Sequence, residues 1–225
     1  MTSDPAPPRS ITLPAMGLAA LALGAALILL LQILPPTDRI NPVRRTISEY
    51  ALSSNKWIFD LAVLLVALGS AAAFAGLVRH KLLPVRSFAV LLGALWTVSL
   101  LVVIVFPKHN WAIGPSTGGN VHRIASVVGF VCLPVAVLLA ARIVFRHSLL
   151  WRRLAQFLAV TSLLWFGAIL VAVGIMATGG PPWWQLLPLG LVERGMAVNE
   201  LLAVATLAVP LLRRATVVHA PELVK

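Results

Sequence analysis

The sequence predicts an all-α polytopic membrane protein, a six-helix bundle. Three observations lead there: only 11% of the 225 residues are charged and 60% are hydrophobic, six apolar runs are long enough to cross a bilayer, and basic residues concentrate in alternate connectors. Soluble domains carry roughly 25% charged residues. So few charges cannot cover a water-facing surface, and lipid is the natural solvent. Crossing roughly 30 Å of hydrocarbon takes about 20 apolar residues at about 1.5 Å each.

The first run, 14–34, is not read as a signal peptide: it is long, only Arg9 precedes it as a basic residue, and Pro35-Pro36 stands where a cleavable signal has small residues. The others fall at 57–78, 87–106, 121–145, 154–177 and 191–212. They form one bundle over 14–212, between tails at 1–13 and 213–225 expected to be disordered. Small residues four apart, Gly69 with Ala73 and Ala71 with Ala75, permit close helix contact. Cys132 is the single cysteine and reads as a small core residue.

Charge sets the expected orientation. Arg79-His80-Lys81 with Arg86, Arg146 with Arg152-Arg153, and Arg213-Arg214 flank one membrane face. That side holds eleven of the eighteen Lys and Arg. The positive-inside bias then puts both termini in the cytoplasm of a bacterial plasma (inner) membrane. The longer loops at about 35–56, 107–120 and 178–190 face outward, with Trp57, Trp111, Trp183 and Trp184 as an aromatic belt. The net charge of +11 is dispersed between loops, so it reads as membrane topology and not as a nucleic-acid surface.

Five of the seven acids, Asp38, Glu49, Asp60, Glu193 and Glu200, fall at the opposite end from the basic turns. The second, fourth and sixth helices start there and turn their positive dipole ends outward, with Asn55 or Ser54 capping the second and Asn120 the fourth. An acid in a first turn complements the dipole, which accounts for Glu193 and partly for Asp60. Glu200 lies about 10 Å deeper than Glu193. It must face the bundle, protonated or paired with His122, Arg123 or Arg45.

The expected site is an outward vestibule for a polar or anionic, headgroup-like ligand. Its residues are Arg45, Ser48, Glu49, Asp60, His122, Arg123, Glu193, Arg194 and Glu200. Helix N-termini, Arg45, Arg123, Arg194 and His122 supply positive potential, and the acids orient them. Membrane lipids are the expected partners. No cofactor is expected.

Two other readings stand beside this one. Glu49, Glu193 and Glu200 with His122 would make an acid/base set for an enzyme acting on lipid or envelope intermediates, and intramembrane acids also suit a proton-coupled carrier. Metal ligation through His109 and His122 lacks a His-x-x-x-His or Glu-x-x-His pair. A Ser48–His122 nucleophile lacks a Gly-x-Ser-x-Gly elbow. Below Glu200 the sixth helix carries only Thr206 as a polar residue before its end, so no open channel is expected.

Ile47-Ser48-Glu49-Tyr50-Ala51 after the first span, Phe106-Pro107 closing the third, His122 opening the fourth and Gly190-Leu191-Val192-Glu193-Arg194 opening the sixth resemble the bacterial six-span family catalogued as domain of unknown function 998. The resemblance covers about 15–212. It implies a six-helix bundle, no established reaction, and motif positions at Ser48, Glu49, His122, Glu193 and Arg194. Glu200 is not among those positions.

Overall fold

The computed structural model describes residues 12–217; most of each expected tail lies outside them. Seven α-helices follow in order: α1 (Thr12–Leu30), α2 (Lys56–Arg79), α3 (Phe88–Val105), α4 (Thr117–Val144), α5 (Leu149–Ala177), the short α6 (Trp183–Leu186) and α7 (Leu189–Val217). Six of them are long and apolar enough to span a membrane, and the chain is an all-α, multi-pass membrane protein. Among the described residues there is no strand, only an isolated bridge between Asn110 and Gly114.

Helix ends follow local chemistry. Ser87 caps α3 by accepting from Val90 N at 3.4 Å, and Ser116 caps α4 by accepting from Gly119 N at 3.0 Å. The helix therefore begins at Thr117, and Asn120, expected as the cap, lies inside its first turn. Asn55 precedes α2 but its side chain makes no cap bond. Its amide donates instead to Pro35 O at 3.0 Å and Thr37 Oγ1 at 3.3 Å, holding the end of the first connector. The α4 and α5 helices start several residues before the apolar runs do; for α4 the Ser116 cap satisfies the extended end.

Consecutive long helices pack as neighbours, and α7 closes the bundle against α5, α4, α2 and α1. At the α1–α2 seam a Cβ on Gly24 would sit 2.8 Å from Ala62 O, and one on Gly69 2.7 Å from Gly17 O. These glycines let two backbones approach closely. Of the small pairs read in the sequence, Gly69 and Ala73 are buried in the bundle, whereas Ala75 is exposed.

The two halves of the bundle differ in packing. The half with the short basic turns is solid: Leu77, Leu133, Val137 and Leu207 are fully buried in one cluster. The half with the acids has a smaller core around Leu31, Tyr50 and Phe59. A cavity opens beside it.

Candidate functional site

The Gly-x-x-Glu-Arg segment at the start of α7 grips the first long connector. That connector is ordered, with a 3₁₀ turn over Ile47–Leu52 that buries Tyr50 completely. Glu193 Oε2 accepts from Ile47 N at 2.5 Å, at the turn's N-terminus, so a carboxylate from a distant helix fills the capping role. Arg194 reaches the other way. Its Nη1 donates to Pro42 O at 2.8 Å, Arg45 O at 2.9 Å and Gly190 O at 3.1 Å, and its Nη2 donates to Tyr50 Oη at 3.0 Å. Leu191 N adds a bond to Val43 O at 3.1 Å. Glycine is required at 190 because a Cβ there would overlap the Pro42 and Arg45 carbonyls.

A second tie runs to the α3–α4 connector. Lys108 Nζ donates to Glu49 Oε2 at 2.6 Å and to Thr46 Oγ1 at 2.9 Å, and Thr46 Oγ1 lies 3.1 Å from Ser48 Oγ. The ion pair is mostly shielded, with side chains 17% and 23% exposed. The connector itself is braced by buried His109, whose Nδ1 accepts from Ser116 N at 2.9 Å.

His122, buried in the first turns of α4, has Nδ1 2.7 Å from Phe106 O. A carbonyl can only accept, so Nδ1 carries a proton, and in the neutral ring Nε2 is left as an acceptor. Ser126, one turn on, donates to His122 O at 2.9 Å.

These residues surround the polar end of a cavity of about 320 Å³. Ser48, His122, Ser126, Glu193 and Arg194 line that end. Below them the walls are apolar, down to Val66, Trp96 and Leu201, which pack against the solid half. Trp96 is fixed by donating Nε1 to Ser70 Oγ at 3.1 Å. Leu29 of α1 and Val198 of α7 belong to the lining and are more than half exposed, marking a rim on the lipid-facing side. Arg194 Nε–H is buried and has no acceptor.

The site thus gathers Ser48, His122, Glu193 and Arg194 around one cavity, with Glu49 behind them through Lys108. Other expected members lie elsewhere. Asp60 is held by Lys56, at 2.5 Å, one turn earlier on α2. Arg123 is exposed and donates to Asn120 Oδ1 at 3.1 Å, and Arg45 contributes its carbonyl while its side chain is not in the lining. Glu200 faces the bundle and is buried, as expected, but it meets none of His122, Arg123 or Arg45. It turns to α5, where Ser162 Oγ donates to Oε1 at 3.0 Å, and its Oε2 is buried without a partner. Seven residues leave Glu193 and Glu200 within about 20° of one helix face, but about 10 Å apart in depth, where the neighbouring element is α5 and not the connector.

Lys108 and the fully buried Tyr50 were not singled out from sequence, whereas Ser126 was readable beside His122. Ser126 lies four residues after His122, a spacing that signals a shared helix face. No hydrogen bond joins Ser48 to His122 among those described, and no group of three metal-ligating side chains occurs among the described residues.

A family model described as protein of unknown function (DUF998) matches residues 16–210. No curated protein and no solved structure matches the chain.

Proposed function

Because the chain belongs to the DUF998 family, whose description assigns no activity, we propose a function from the cavity itself: it holds one amphipathic, lipid-like molecule. The carrying observation is a cavity of about 320 Å³ that is apolar along its length and polar at one end. That volume is at the lower edge of small-molecule pockets, about 300–1,000 Å³. A hydrocarbon chain fits between α1, α2, α3, α4 and α7. The head group meets Ser48, Ser126, His122 and Arg194, which line that end. Hydrogen-bond acceptors on the head, such as a carbonyl or phosphate oxygen, suit the serine hydroxyls and the positive charge of the guanidinium there.

This reading differs from an open anion vestibule. Glu193 and most of the Arg194 donors serve the connector, so the clamp shapes the cavity's polar end and leaves few groups for the ligand. The rim at Leu29 and Val198 gives a lateral entry from the bilayer. Following the Lys/Arg bias, we place the polar end toward the outer leaflet.

The test is a titration of the detergent-purified protein with a single-chain phospholipid and with an alkane of equal chain length, in wild type and in Ala197→Phe. Ala197 lines the cavity and is only partly buried, so the bulky side chain fills the space with little strain. Saturable one-to-one binding of the phospholipid, weaker binding of the alkane, and loss of both in the folded variant support the reading. Unchanged binding in the variant overturns it.

A further inference from the structure

At the opposite end of the bundle, the α2–α3 and α4–α5 turns enclose a second hollow of about 260 Å³. Lys81, Arg146 and His147 line it, over a floor of Leu82, Pro84, Ile143 and Val144. Leu83 and Phe145, both buried, anchor the two turns in the solid core.

Lys81 occupies an unusual position. It follows the C-cap of α2, donating from N to Val78 O at 3.0 Å, and Leu82 N donates to Leu77 O at 2.9 Å. This is the Schellman closure, which places residue 81 in the left-handed region at φ 55°. Glycine is the unstrained residue there. A lysine at this position carries backbone strain, and this exposed lysine lines the hollow.

The surrounding charge is one-sided. Arg79, Lys81, Arg86, Arg142, Arg146, Arg152 and Arg153 all lie on or beside these turns. The described ion pairs, Lys56–Asp60 and Lys108–Glu49, are both at the other end. Among the described residues no side chain of these seven cations has a hydrogen-bond or ion-pair partner, and no Asp or Glu lies at this end. Two of them, Arg152 and Arg153, sit in the first turns of α5, where the helix dipole already favours an anion. That turn has no acid and no side-chain cap bond from Ser148.

We propose that this hollow is a phosphate-group site, with Lys81 and Arg146 as its principal contacts. The shared chemistry is that of an anionic phospholipid headgroup and of free phosphate. The apolar floor and the interfacial position favour the lipid, whose glycerol end can lie on Pro84 and Val144. The site is independent of the cavity at the other end, and each can fail without the other.

The test uses the full-length protein in detergent, as wild type, Lys81→Gly, Arg146→Gln and the double variant. Each is titrated with phosphatidylglycerol, phosphatidylcholine and inorganic phosphate, with bound molecules counted by native mass spectrometry. Lys81→Gly relieves the backbone while removing the charge, so its melting temperature is expected to equal or exceed wild type. Phosphatidylglycerol affinity is expected to fall about fivefold per cation removed and about thirtyfold in the double variant. Phosphatidylcholine binding is expected to be unaffected. Binding of inorganic phosphate alone, with the same losses, keeps the site and assigns it to the soluble anion. Wild type that binds neither anion, or a folded double variant that binds phosphatidylglycerol as tightly as wild type, overturns it.

Discussion

Arg194→Ala is expected to release the first connector from α7, and the structure sets the size of the effect. Four donor contacts disappear, to Pro42 O, Arg45 O, Gly190 O and Tyr50 Oη. The Pro42 and Arg45 carbonyls lie in exposed residues, so water replaces the lost donor and each costs only about 0.5 kcal/mol. Tyr50 is different because it is completely buried. Its hydroxyl loses a charged donor where solvent cannot reach, at about 1–3 kcal/mol. The guanidinium also lies 5.8 Å from the Tyr50 ring centroid, a cation–π contact worth about 0.5–1 kcal/mol. Together these parts amount to about 2.5–5 kcal/mol, large for one substitution.

Unfolding in mixed micelles measures the total, and hydrogen exchange at the Ile47 amide reports the connector. Tyr50→Phe supplies the control, since it removes the hydroxyl that Arg194→Ala strands. The double variant should therefore be less destabilised than the sum of the singles, by about 1 kcal/mol. Strictly additive singles, or an Ile47 amide as protected in Arg194→Ala as in wild type, refute the clamp.

Further expectations follow from the same contacts. Glu193→Gln keeps an acceptor for Ile47 N but loses the charge assistance, a cost of about 1 kcal/mol with faster exchange at Ile47. Gly190→Ala drives a methyl into two backbone carbonyls and should cost about 2 kcal/mol in the same unfolding assay. Glu200→Gln preserves an acceptor for Ser162 and should shift stability by less than about 1 kcal/mol. Glu200→Lys places a cation where no counter-charge is described, and should lose more than about 3 kcal/mol or fail to accumulate in membranes.

The six spans were legible in the sequence because apolar length is a direct physical requirement of the bilayer. Their ends were less legible. The α4 helix starts at Thr117, not near 121, because Ser116 caps it, and hydropathy does not register a cap. The gathering of acids at one end drew attention to Ser48, His122, Glu193 and Arg194, and these four line one cavity. Their division of labour was hidden, because a backbone carbonyl or amide as a partner leaves no trace in residue identity. Glu193 bonds Ile47 N, and Arg194 bonds three carbonyls. For the same reason Arg45 read as a cation when its carbonyl is what α7 uses. Asp60 and Arg123 found partners within four residues on their own helices, a local alternative that end-of-span clustering overlooks. The apolar character of the cavity was also hidden, since it arises from which helix faces converge.

The most direct test of the central reading is a native mass spectrum of the protein gently extracted from its own membrane, beside Ala197→Phe prepared identically. One retained amphipathic molecule per wild-type chain, absent from the folded variant, is the expected result. A wild-type protein that carries none, or a variant that retains the same molecule equally well, contradicts it.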